Sequence, residues 1–325
     1  MSNKKIISIV LILGLIGLLG VGISGGAKKP LVKVKIGYFP FSVDLPLFVA
    51  MGKGYFKSQG IEVEAIKFGT VNEMANATIS GRIDGTAGYG LSTHFAIEEN
   101  TPNLLKMYAV SVETQDKFSS MLLVRKDSPI LSISDLRGKK IGTYLGATQL
   151  LNLKLVLQKF MDPEKDVQII QVAEPLQIQA LLANQFDALF TIEPTTLIAL
   201  QTGEIKAIDE NLRVKYVMNP FPTAAADLST KFIKENPRIA RKICKAIDKA
   251  IDFIRKNPTE AKKLLPTFTP LKEDISLKSR LYEWQKLNEI NIEAIQNLAD
   301  LFWQSKILKS QLDVSKMVLT PKDLK

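Results

Sequence analysis

Few residues in this 325-residue chain can make or break bonds. It holds one cysteine, Cys244, and one histidine, His94. That excludes an internal disulfide framework, a multi-cysteine zinc or iron–sulfur site and a multi-histidine metal centre. With one histidine, no nucleophile–base pair stands out and hydrolase chemistry finds no support. No Gly-x4-Gly-Lys-Ser/Thr loop is present to cradle a nucleotide. No metal and no cofactor are expected. What remains are polar residues at four strand-to-helix corners: Tyr38–Asp44, Gly69–Asn72, Gly90–Thr93 and Leu145–Thr148. Ser42 or Asp44 can cap a helix, and Thr70 opens a capping box with Glu73. Gly90 and Gly146 permit close backbone approach, and Ser92, Thr93 and Thr148 bring hydroxyls. Leu91 and Ala147 complete the set at these corners. Converging helix N-termini favour an anion such as sulfonate, nitrate or carboxylate. Ordinary capping explains each corner taken singly. No arginine falls within the four corners, so an oxoanion there depends on backbone and hydroxyl donors. Tyr38, Phe39, Phe41 and Tyr89 add flat apolar surface that suits a heterocyclic ligand equally well. His94, two residues after Ser92, reads as a hydrogen-bonded helix histidine or as a residue lining the site.

The elements that must position these corners alternate. Strands are expected at Val32–Tyr38, Ile61–Lys67, Thr86–Tyr89, Met121–Arg125, Lys140–Tyr144, Val167–Val172 and Ala188–Ile192. Helices are expected at Pro46–Gly54, Val71–Ser80, Ser92–Glu99, Thr148–Met161 and Leu176–Ala183. That order argues for parallel α/β sheets. The halves echo one another: Gly81-Arg-Ile-Asp84-Gly and Asn184-Gln-Phe-Asp187-Ala each end a helix and enter a strand, which points to two lobes of like architecture. The last third is helical in pattern. Ile239, Ile243, Ile247 and Ile251 recur every fourth residue with Lys and Arg between them, an amphipathic helix. Cys244 sits beside that stripe as a small packing residue. Leu281–Leu308 continues the helical pattern around Trp284 and Trp303.

At 46% hydrophobic and 23% charged the composition is globular. The net charge of +10 is dispersed, with no basic run and no aromatic–basic interleaving, so nucleic acid is not an expected partner. Lys4 and Lys5 precede an uncharged apolar stretch ending in small residues at Ala27. This reads as a secretory signal peptide over residues 1–27, or as an uncut anchor, since Ile6–Ile23 would be about 27 Å long as a helix. The remainder is expected to be extracytoplasmic.

Ile36-Gly-Tyr, Pro46-Leu-Phe-Val-Ala-Met-Gly-Lys-Gly-Tyr-Phe56, Gly81-Arg-Ile-Asp84, Gly88-Tyr-Gly-Leu-Ser92, Ile133-Ser-Asp-Leu-Arg-Gly-Lys-Lys-Ile-Gly142 and Phe186-Asp-Ala-Leu-Phe-Thr-Ile-Glu-Pro194 together resemble the periplasmic solute-binding proteins of nitrate, sulfonate and taurine ABC importers, including relatives that bind thiamine-precursor pyrimidines. The resemblance covers most of residues 32–304. It implies a type II two-lobed clamshell, each lobe a mainly parallel sheet flanked by helices. Residues 32–124 and 225–325 would form lobe I and 127–221 lobe II, with hinge crossings near Val124–Asp127 and Pro220–Asp227. It implies a small-molecule solute held in the cleft, a monomer, and separate permease and ATPase chains, with membrane association through the permease or the uncut segment. In the family the segment matching Thr191-Ile-Glu193-Pro194 faces the cleft, where Glu193 would bind a ligand amine or ring N–H; the plain reading of Glu193 is a solvated loop residue. Pyrimidine synthases of the same fold use cysteine-rich and histidine features absent here. A membrane-tethered ligand-sensing domain is the other alternative.

Overall fold

The computed structural model describes residues 30–325; the expected signal segment lies outside them. Eleven strands form two sheets among the described residues. The first runs β2 (Ile61–Lys67), β1 (Val32–Tyr38), β3 (Gly85–Gly90), β10 (Phe221–Ser229), β4 (Leu105–Glu113) and β11 (Glu283–Gln285). The second runs β7 (Gln168–Val172), β6 (Lys140–Tyr144), β8 (Ala188–Thr191), β5 (Met121–Arg125) and β9 (Ile205–Glu210). The two-lobed α/β architecture is present. Each sheet is mixed rather than mainly parallel. β1 pairs in parallel with β2 and β3, and β6 with β7 and β8. β10 and β5 insert antiparallel at matching places, after β3 and after β8. Helical crossovers force the parallel pairs, whereas β5 and β10 arrive from the other sheet and run the opposite way.

The chain passes between sheets twice, through residues 114–120 and 211–220. Both expected boundaries therefore move. Met121–Val124 pairs with β8 and β9 in the second sheet, and Phe221–Ala224 pairs with β4 in the first, with Ala224 also opposite β3.

The echo between the halves has a physical basis. Asp84 N–H donates to the Lys35 carbonyl and Asp84 Oδ2 accepts from Lys35 N–H at 2.8 Å. Asp187 and Lys140 repeat both bonds, again with a 2.8 Å carboxylate bond. Each aspartate thus brackets the strand at the centre of its lobe's parallel pairs, β1 and β6.

The helix Pro237–Lys256 buries Ile243, Ile247 and Ile251 against the first sheet's core, with Phe48, Tyr108 and Trp284 in the same cluster. Full burial of each isoleucine contributes about 1.5–3 kcal/mol. Cys244 is packed among them. The expected helical pattern over Leu281–Leu308 is broken: Trp284 sits on β11, and the helix is Ile292–Gln304. Trp284 is buried and its Nε1–H donates to the Val43 carbonyl at 3.0 Å, whereas Trp303 is exposed.

Candidate functional site

A cavity of about 130 Å³ lies where the carboxyl ends of the strands of both sheets meet. Phe39, Phe41 and Val43 follow β1, Gly88 and Gly90 end β3, and Thr223 and Ala224 lie on β10. From the second sheet come Tyr144 at the end of β6, then Leu145–Gln149, and Ile192 after β8. Strand ends are where open α/β sheets leave a crevice. A wider mouth adjoins it, lined by Phe68–Asn72 and Ala173–Pro175.

Two helices open into this space. Leu91–Asn100 starts on Gly90 and Ala147–Leu157 on Gly146, and neither N-cap residue supplies a side-chain bond to the first turn. The first N–H groups of a helix have no intrahelical acceptor, so both ends present donors and a partial positive charge. Gly146 stands at φ +111°, a value that side-chain-bearing residues rarely adopt. Its N–H donates to Gln171 Oε1 at 2.8 Å. The lobes touch across the cavity. The hydroxyls of Ser92 and Thr148 are 2.6 Å apart and those of Thr93 and Thr148 3.4 Å. The Phe41 and Tyr144 rings meet edge-on at 6.1 Å. Gln149 Oε1 is buried in the wall without a hydrogen-bond partner.

The structure distributes the sequence-derived candidates unevenly. Gly90, Gly146, Ala147 and Thr148 line the cavity, Ser92 makes the contact across it, and Thr70 stands at its mouth. Thr70 forms its capping box with Glu73 as expected. Four candidates turn into the core instead. Tyr38 packs edge-on against Phe48, Leu91 joins Phe95 and Met107, and Tyr89 is fully buried with its hydroxyl 3.2 Å from Thr78 Oγ1. Ser42 is buried with its hydroxyl unpartnered. Asp44 does not cap its helix through its side chain. Burial pushes its carboxyl well above the usual carboxylate range, and its Oδ2 accepts Phe39 N–H at 2.8 Å, shaping the loop that carries Phe39 and Phe41.

Glu193 is buried yet absent from the cavity wall, which its neighbour Ile192 lines. Burial pushes its carboxyl up to about 7, against the opposing charges of Arg280 and Lys262 on the C-terminal segment. It is neither a solvated loop residue nor a wall residue. His94 is a helix histidine buried against β10, its Nε2 2.7 Å from Asp227 Oδ1. Burial opposes its charging, and the charge and hydrogen bond of Asp227 outweigh this to leave it raised.

Sequence reasoning missed Arg213 and Tyr282, both buried and both in the wall. Arg213 lies on the second crossover. Its Nε donates to Glu113 Oε2 at 2.8 Å and its Nη2 to Glu113 Oε1 at 2.6 Å. Glu113 closing the mostly apolar run Met107–Val112 was the available signal, since a charge ending a buried strand needs a partner.

Among the described residues no cluster of three His, Cys, Asp or Glu side chains could hold a metal. The family model described as NMT1/THI5 like matches residues 43–261, 219 of the 325. The chain belongs to the NMT1/THI5-like family. This NMT1/THI5-like chain is 24% identical over 249 residues to a 4-amino-5-hydroxymethyl-2-methylpyrimidine phosphate synthase of Saccharomyces cerevisiae, covering 74% of this chain and 72% of the yeast protein. It is 24% identical over 331 residues to a putative aliphatic sulfonates-binding protein of Bacillus subtilis, covering 97% and 94%. Its fold matches the periplasmic aliphatic sulphonate binding protein SsuA of Escherichia coli with a TM-score of 0.72 at 17% identity, over 88% of this chain and 97% of that one. The family member described here thus has the periplasmic-binding-protein fold.

Proposed function

We propose that this chain is the extracytoplasmic solute-binding component of an ABC importer and captures a small oxoanion, sulfonate-like, with an apolar body. The observation that carries the reading is the pair of helix N-termini, one from each lobe, opening without side-chain caps into one cavity across which Ser92 and Thr148 bond. A charge-assisted hydrogen bond from such donors contributes on the order of 1.5–3 kcal/mol. No carboxylate is in the cavity wall to receive a ring N–H: Glu174 stands at the mouth with its Oε1 accepting from Thr195, and Glu193, which the heterocycle reading needed, lies outside the wall. Phe39, Phe41 and Tyr144 give the apolar part its surface. A binding rather than catalytic role is supported by the places of His94 and Cys244: both are buried outside the cavity wall. Permease and ATPase are separate chains, and the protein acts as a monomer.

Residues 31–113 with 221–325 form lobe I and 121–210 lobe II, hinged on the two crossovers. Solute entering the open form draws the lobes together. The test is a thermal-shift series with ethanesulfonate, taurine and nitrate beside hydroxymethylpyrimidine. A solute at a hundred times its dissociation constant adds about 2.7 kcal/mol, so a sulfonate should raise the unfolding temperature clearly. A shift with the pyrimidine alone would overturn the oxoanion reading.

A further inference from the structure

We infer that Arg213 is the anion receptor of the cavity and that Glu113 holds it at zero net charge, which makes this pair the element that couples solute capture to the hinge. The inference rests on the reading of the cavity as an oxoanion site.

The donor count carries it. A guanidinium has five N–H donors. Nε gives one to Glu113, and Nη2 gives its two to Glu113 and to Ser119 Oγ at 3.1 Å. The two on Nη1 lie outside the pair, on a side chain that forms part of the cavity wall. Glu113 is saturated by comparison: it also accepts the backbone N–H of Ser119 at 2.6 Å and its hydroxyl at 2.8 Å. Tyr282, the neighbouring wall residue, donates to Ser119 Oγ at 2.7 Å. Buried ion pairs contribute little net stability, because desolvation offsets their attraction. The Tyr282 hydroxyl adds a hydrogen bond and a charge interaction to the guanidinium, and a pair placed at a ligand cavity, with Nη1 given to neither Glu113 nor Ser119, does more than brace.

Its position gives the coupling. Glu113 ends β4 where the first crossover begins, Ser119 lies on that crossover and Arg213 on the second. An oxoanion taken by Nη1 therefore binds a side chain that ties the two crossovers together, as the Asn211 amide also does through the Thr114 and Gln115 carbonyls. Because Glu113 already balances the charge, the site takes one further negative charge rather than two.

The test is calorimetry on the full chain with ethanesulfonate and with its uncharged analogue ethyl methyl sulfone. Glu113→Gln releases the guanidinium from its counter-charge. It should tighten ethanesulfonate about tenfold, which is about 1.4 kcal/mol, and leave the sulfone unchanged. The double variant Glu113→Gln/Arg213→Gln leaves no unpaired buried charge and should keep a cooperative thermal transition. It should bind ethanesulfonate at least about tenfold more weakly than Glu113→Gln does. A purely structural role for the pair would not separate the anion from the sulfone. Equal ethanesulfonate affinity in wild type and both variants overturns the inference and leaves the oxoanion reading standing. No ethanesulfonate binding by any of the three proteins overturns both.

Discussion

Glu193 carries a cost that its surroundings only partly relieve. Its Oε2 is buried without a hydrogen-bond partner, as is the neighbouring Thr196 hydroxyl. Burial raises the carboxyl from 4.5 to about 7, with Arg280 and Lys262 opposing. The unfolded chain releases this proton near 4.5 and the folded chain near 7, so between those values the native state binds the extra proton. Stability therefore falls as pH rises through that window and levels off above it, a loss of at most about 3.4 kcal/mol. Glu193→Gln should unfold at a higher temperature than wild type near pH 8 and at the same temperature near pH 4; an equal gain at both would show that the carboxyl is not the cause. The residue also marks how far side-chain chemistry was legible. Its type and its loop were visible in the sequence, but its burial beside the charge of Arg280, 87 positions later (280 − 193), was not. Arg213 was illegible for the same reason: within Asn211-Leu-Arg-Val-Lys215 it reads as one more basic surface residue, and only Glu113 makes its burial possible.

Elements were legible where local pattern decides them. The capping box at Thr70 and Glu73, the four-residue isoleucine spacing and the strands β1, β2, β6 and β8 follow from local chemistry. β4, β9, β10 and β11 were missed. Leu105–Glu113 and Phe221–Ser229 are buried along almost their whole length, so they lack the alternation that announces a half-exposed strand, and β10 is rich in alanine. β10 also reaches its place by a long-range insertion that no local pattern encodes. The aspartate brackets, by contrast, were visible as a repeated sequence before their bonds were known. Asp84→Ala and Asp187→Ala should each cost about 1–2 kcal/mol in urea unfolding, since each removes a charge-assisted bond to a strand N–H. A large cost at one and none at the other would mean that the two lobes do not share this device.

At the scale of the whole molecule the contact of Gly90 and Ser92 with Thr148 is where the proposed closure is open to test. A methyl group at Gly90 would lie 2.8 Å from Thr148 Oγ1, 2.9 Å from its Cγ2 and 3.4 Å from its Cβ. Rotating the threonine exchanges one clash for another. Gly90→Ala should therefore act as a wedge: solute still meets one lobe, but the loaded protein stays expanded in small-angle scattering and binds about tenfold more weakly. Adding Thr148→Ala should restore the contraction. A Gly90→Ala protein that contracts as wild type does would show that this contact does not limit closure.

Cys244 is 5% exposed, and burial pushes its thiol up to about 12. The chain's sole cysteine is thus inert toward alkylating dyes at neutral pH. Leu145, on the cavity rim, is 62% exposed. A cysteine placed there would be the one reactive thiol in the protein, and a polarity-sensitive fluorophore attached to it would brighten or dim as the lobes meet. The buried thiol thus leaves a natural blank on which an optical gauge of solute concentration can be built with a single substitution.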